Sequence, residues 1–172
     1  MTTQPIDPAD AAQMLAEAVG RAMWMRDNAS NALGMALSAI GPGSASMTMP
    51  VRSDMLNGHQ MCHGGFIFTL ADSAFAYACN SHNINTVAAG CQIDFLAPAR
   101  EGEVLQADAT ERAATGRTGV YDIAVRVRGG RQIALFRGKS HRIGGDVIAG
   151  LAVPARDAAN PSDAHSSTET AR

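Results

Sequence analysis

The sequence predicts an α+β fold in which one buried helix faces several antiparallel strands. From Gly64 to about Cys79 the chain is apolar on nearly every helical face, with Phe66, Ile67, Leu70, Ala74 and Ala78 among the contributors. A helix apolar all round is enclosed by other elements. Beyond it the period changes to two: Val120, Asp122, Ala124 and Arg126 alternate with Tyr121, Ile123, Val125 and Val127. Short turns, APAREG, ATGR and RGGR, separate four such segments, and tight turns join antiparallel neighbours.

In chain order, Asp7 to Asp27 reads as a helix. Asp7 or Asp10 serves as its cap, and Met14, Leu15, Val19, Met23 and Trp24 form one apolar stripe. Two extended segments follow, Leu33–Ile40 and Ser44–Val51, joined by the Gly41–Gly43 turn. The buried helix opens on Gly64 and Gly65, poor helix formers that let another group approach the backbone. The later strands are Ala88–Leu96, Glu103–Ala113, Thr118–Val127 and Gln132–Ile143. Residues 1–145 therefore make one domain. From Asp146 the chain is rich in Ala, Ser, Thr, Pro and Asp, which predicts a flexible tail over residues 146–172.

Composition narrows the function. Apolar residues at 46% and charged residues at 17% suit a soluble globular domain, and no run approaches the roughly 18 to 20 apolar residues that span a bilayer. A net charge of -2 gives no electrostatic reason to expect nucleic acid or an anionic membrane as partner. The N-terminal residues lack a secretory pattern, and Cys62, Cys79 and Cys91 follow no disulfide framework, so the expected compartment is the cytoplasm. The three cysteines read as small core hydrophobes.

Asp72 is the one charged residue between Met55 and Ile93. A lone carboxylate in apolar surroundings is solvated, paired, or kept as a nucleophile or general base. Before it, His63 precedes Gly64 and Gly65 at a helix start, whose amides can polarise a carbonyl. Eight residues separate Gly64 from Asp72, about 12 Å along one helix. One reacting group cannot touch both, because reacting atoms approach within about 3 to 3.5 Å. If both serve one reaction, the carboxylate comes from a second, antiparallel copy, in a homodimer with two shared sites.

Two other motifs carry less. His59, Cys62 and His63 lie close together, but a structural zinc needs four ligands and no second cluster appears, so no metal and no cofactor are expected. In LFRGKSHRIGG a strand would align Arg137, Lys139 and His141 on one side, a row suited to phosphates or to the protection of an edge. Gly138 between them would admit a ligand close to the backbone.

The stretches MLNGHQMCHGGFIFTLADSAFAYACNS, QIDFLAPAREGEVLQADA, GRTGVYDI and ALFRGKSHRIGG together resemble the hotdog-fold acyl-CoA thioesterases, and among them the PaaI-type phenylacetyl-CoA thioesterases of phenylacetate degradation. The resemblance covers roughly residues 15–145. It implies a curved sheet wrapped around one long helix, paired into a dimer and then a tetramer. It implies Asp72 as catalytic acid, Gly64 as the amide that polarises the thioester carbonyl, and Asn57 and His63 as supporting groups. Coenzyme A, as part of the substrate, would lie near Gly65, Arg117, Arg137, Gly138, Lys139 and His141, with the acyl group lined by Leu56, Phe66 and Phe75. Phenylacetyl-CoA or a ring-hydroxylated relative is the expected substrate; a medium-chain acyl-CoA, or a non-catalytic acyl-CoA binding role, is the alternative. Some relatives place a helping hydroxyl downstream of the acid, where this chain offers only Thr86.

Overall fold

A computed structural model describes residues 6–151. Helix α1 (Pro8–Trp24) begins where Asp7 accepts from the Ala9 amide at 2.8 Å, with Pro8 in the first turn, where its missing N–H is no loss. Its buried stripe is Leu15, Ala16, Val19 and Gly20, while Met14 faces solvent. A five-residue helix α2 (Asn28–Ala32) follows, capped by Asp27, whose other oxygen takes the Tyr77 hydroxyl at 3.0 Å.

Strands β1 (Ala36–Gly41) and β2 (Ser44–Pro50) form a hairpin, and one 3₁₀ turn at Ser53–Met55 leads towards helix α3 (Gly64–Asn80). Then come β3 (Thr86–Phe95), β4 (Val104–Thr115), β5 (Thr118–Val127) and β6 (Gln132–Arg142). The six strands make one antiparallel sheet in the order β1-β2-β4-β5-β6-β3. The predicted α+β architecture, one helix against a curved meander, is the observed one.

The core lies between α3 and the sheet. Leu70, Ala71, Ala74, Phe75 and Ala78 meet Met47 and Met49 of β2, Leu105 and Ala107 of β4, Ile123 and Val125 of β5, and Phe136 of β6. Each of these strands offers every second residue to the helix, so the period-two pattern in the sequence is this packing. The opposite sheet face is polar: Asp122 receives a two-pronged bond from Arg137 (2.6 and 2.9 Å) and another from Arg112 at 2.9 Å.

Two features concern the strands β3 and β6. Strand β3 is an edge: Val87–Gln92 are all exposed, and among the described residues no strand lies beyond it. The chain after β6, expected to be free from residue 146, is instead held through residue 151. Asn83 binds Ile148 through both backbone groups (2.8 and 3.1 Å) and the Leu151 carbonyl at 3.3 Å, and Asn85 holds the Asp146 carbonyl. The rest of the expected tail, 152–172, lies outside the described residues.

Candidate active site

The start of α3 is built by a short loop. Leu56 and Cys62 bridge across it, the Cys62 amide donates to the Ala99 carbonyl, and the His63 amide donates to that of buried Met55. Inside the loop the Asn57 side-chain oxygen accepts from the amides of His59 (2.9 Å) and Met61 (3.3 Å). With the oxygen committed there, its amide nitrogen is left to donate outward.

His63 is the N-cap. Its Nδ1 accepts from the Gly65 amide at 3.0 Å, so the ring proton sits on Nε2. The neighbouring Gly64 amide, in the first turn, donates to no acceptor among the described residues. The two glycines thus differ: Gly65 is used to seat His63, and Gly64 offers its N–H and the partial positive charge of the helix start. The sequence places Gly65 against substrate; in the structure its amide is occupied.

A cleft of about 370 Å³ opens here, lined by Asn57, Met61, Cys62, Gly64, Ile67 and the exposed Phe95 and Leu96. The Phe95 ring lies against Gly64 so closely that a Cβ on Gly64 would stand 2.9 Å from its Cζ. A larger cleft of about 780 Å³ lies between α1 and β1, away from Asp72 and Gly64.

Asp72 sits on the same unbroken helix as Gly64, eight residues on, so the separation of about 12 Å stands. Burial raises its carboxyl above the ordinary aspartate value, opposed by a bond from the Cys91 thiol, whose Sγ lies 3.9 Å from Oδ1. Cys62 and Cys79 are core cysteines as expected, but Cys91 is exposed on β3. No Lys, Arg or His lies within ion-pair distance of Asp72 among the described residues.

Other expected residues scatter. Phe75 is 1% exposed, wedged against Gly138, Tyr121 and Phe136; its ring fills the space that Gly138 was expected to offer a ligand. Leu56 and Phe66 are half-buried, packed on the core beside the start of α3. Arg137 is bound to Asp122, and the Arg117 guanidinium donates to the Arg142 carbonyl. Lys139 is exposed and His141 half-buried on the same side of β6, and neither has an ion-pair partner among the described residues. Thr86 bonds the Ile84 carbonyl and the Asn80 side chain at the far end of α3, so its hydroxyl serves the fold. No group of three or more His, Cys, Asp or Glu converges as metal ligands among the described residues, and none of their helices is long and apolar enough to cross a membrane.

One long helix wrapped by a six-stranded antiparallel sheet is the architecture of the hotdog fold, and here its start carries a free amide and its middle a half-buried carboxylate. Residues 59–134 match the family model for the Thioesterase superfamily. The chain is 51% identical over 126 residues to the acyl-coenzyme A thioesterase PaaI of Escherichia coli K12, which covers 73% of this chain and 90% of that protein. The solved E. coli PaaI structure superposes with a TM-score of 0.77 at 48% identity, covering 78% of this chain and 98% of that one. A variant of the phenylacetic acid degradation protein PaaI from Thermus thermophilus superposes with a TM-score of 0.64 at 38% identity, covering 66% of this chain and 97% of that one. The chain belongs to the thioesterase superfamily. Within it, the chain belongs with the PaaI-type acyl-CoA thioesterases, enzymes that cleave the bond between an acyl group and coenzyme A.

Proposed function

We propose that this enzyme hydrolyses phenylacetyl-CoA or a ring-hydroxylated relative, in two equivalent sites each shared between subunits. The Gly64 amide of one subunit polarises the thioester carbonyl, and Asp72 of the other attacks it or activates water. Both routes begin with the ionised carboxylate. In the first, Asp72 adds to the acyl carbon, the bond to sulfur breaks, and water then cleaves the resulting anhydride. In the second, water adds directly as Asp72 takes its proton. In each, one water is consumed, its oxygen ends in the free acid, and a proton goes to the departing coenzyme A thiolate. Asn57 donates to the water or carboxylate, and His63 holds the helix start rigid through Gly65.

The observation that carries the shared site is that one open strand touches both groups. Cys91 of β3 meets Asp72, and Phe95 of β3 meets Gly64. Four strand residues span about 13 Å, within about 1 Å of the length of the eight helical residues between Gly64 and Asp72. Two copies of β3 paired antiparallel about Ile93 would set Cys91 opposite the other copy's Phe95. Asp72 would then face the other copy's Gly64. A ten-residue edge strand with exposed apolar Val87, Ala88, Ala89 and Phe95 is a template for such pairing. A tetramer would be two such dimers.

The phenylacetyl preference rests on similarity to the PaaI proteins. The phosphates of coenzyme A are assigned to Lys139, His141 and Arg117; Arg137, already bound to Asp122, is left out. The compartment is read as the cytoplasm, consistent with three free thiols. The test is release of free thiol from a panel of acyl-CoAs, run beside Asp72→Asn. Fast cleavage of phenylacetyl-type thioesters that disappears in the variant is expected. Preference for medium-chain aliphatic thioesters would overturn the substrate, and binding without cleavage by the unaltered chain would overturn the site.

A further inference from the structure

Strand β3 changes phase just before it reaches Asp72. Ala88 pairs with Ser140, and the next paired residue is Gly90, opposite Lys139, so Ala89 is an extra residue in the strand. Directly opposed residues share a face of the sheet, and Ser140 is buried towards α3 while Lys139 is exposed on the polar face. Unbroken alternation from Ala88 would turn Gly90 inward and Cys91 outward. The bulge reverses this: Cys91, Ile93 and Phe95 pair with Gly138, Phe136 and Ala134, all buried, and face the helix. Bulges re-aim side chains, and this one aims a thiol at the carboxylate.

We propose that Cys91 is a positioning residue: its S–H donates to Asp72 Oδ1, fixes the rotation of the carboxyl group, and leaves Oδ2 to face thioester or water. The proposal rests on the reading of Asp72 given above. The groups facing Asp72 agree with it. From β3, Cys91 bonds the carboxylate. On α3 itself Cys79 feels the Asp72 charge and is a buried thiol, pushed up to about 12 chiefly by burial and therefore uncharged. With no Lys, Arg or His of its own chain within ion-pair distance among the described residues, the Asp72 carboxylate takes its orientation from hydrogen-bond donors, and Cys91 is the one its own chain supplies. The Cys91 thiol is itself raised, by burial first and by Asp72 next, so it keeps the proton it donates. The geometry makes it a donor to Asp72, with the carboxylate left as the reactive group.

The experiment is the pH dependence of kcat/KM for thiol release by the full chain and by Cys91→Ala, Cys91→Val and Cys91→Ser, with Asp72→Asn alongside. A thiol donor to a carboxylate favours the ionised form. Its removal in the Ala and Val variants moves the acid limb upward by about half a pH unit. It also lowers kcat severalfold with KM little changed. Ser, which keeps a donor, restores the limb. Superimposable limbs for wild type, Ala and Val would overturn the proposal, as would a Ser variant displaced like Ala. Light scattering on each variant separates a broken assembly, which lowers activity without moving the limb and so also counts against positioning. Full turnover by Asp72→Asn would sink the underlying assignment of Asp72, whatever Cys91 does; a dead Asp72→Asn with an unmoved limb in Cys91→Ala sinks this inference alone.

Discussion

Mixing two inactive variants decides whether the site is shared. One variant is Asp72→Asn, which keeps the shape and removes the base or nucleophile, a loss of at least about 10²-fold. The other is Gly64→Pro, which deletes the amide donor with little effect on the helix. Gly64 occupies the first helical position, where proline is favoured, and its N–H supports no internal bond. His63, at φ -62° and ψ 133°, already has the extended conformation that a residue before proline requires. The added ring would meet the end of the Phe95 side chain, which must shift. Loss of one such donor lowers kcat by about 10²- to 10³-fold. Gly64→Ala, which makes the same contact with Phe95 but keeps the N–H, is the control and retains most activity.

When the two variants are co-expressed with different tags, a shared site draws its carboxylate from one chain and its amide from another. The chance that the carboxylate comes from the Gly64→Pro chain is one half, and the chance that the amide comes from the Asp72→Asn chain is one half. About a quarter of all sites therefore regain both groups, and thiol release returns to about a quarter of wild type. A site built within one chain always carries one of the two lesions. Activity of the mixture no greater than the average of the two parents would refute the shared site, provided the two tags co-purify.

Burial raises Asp72, so the acid limb of kcat/KM lies above the ordinary aspartate value and activity falls as pH drops through it; a limb at or below that value would count against Asp72. The same burial penalises the charged form in the folded chain only, so Asp72→Asn should unfold at higher urea than wild type at neutral pH, the gap closing as pH falls through the folded-state value. Equal midpoints at neutral pH would contradict this. In Gly138→Ala the new methyl stands 2.8 Å from two atoms of the immobile Phe75 ring, an overpacking that costs about 1–3 kcal/mol and lowers Tm by several degrees in a thermal melt. Lys139→Gln should raise KM for acyl-CoA by roughly threefold to tenfold with kcat unchanged, the effect shrinking at high salt. A KM unmoved at low salt would remove Lys139 from the coenzyme A contacts.

The parts of the fold that repeat are legible in the sequence. The all-round apolarity of α3 and the alternation of β4, β5 and β6 are local patterns that burial imposes directly on residue type, and their predicted limits fall within a few residues of the observed ones. Helix α2 escapes such a reading because five residues held by the Asp27 cap carry no period to detect. At the site, Asp72 and Gly64 stand out by charge and by glycine pairing. What fails to show depends on strand register. The sequence leaves Arg137 open to phosphates, but Asp122 lies directly across from it in β5, ten residues from Arg112, its other partner. Gly138 reads as room for a ligand, when the inward phase of β6 gives that room to Phe75. Cys91 reads as core, since neither a bulge at Ala89 nor the edge position of β3 leaves any mark in composition.

The sheet order also bears on biosynthesis. Strand β3 is made early, but its one strand neighbour among the described residues is β6, whose first residue, Gln132, follows Phe95 in the chain by the whole of β4, β5 and their turns. A nascent chain can wrap β2, β4 and β5 around α3 as they emerge, yet it cannot dock Cys91 and Phe95 until the final strand arrives. Long-range pairing of this kind is slow and leaves a sticky strand waiting. The strand that meets both Asp72 and Gly64 is thus the last to be secured, so a polypeptide halted before Gln132 would hold the helix and most of the sheet while lacking the wall beside the proposed site.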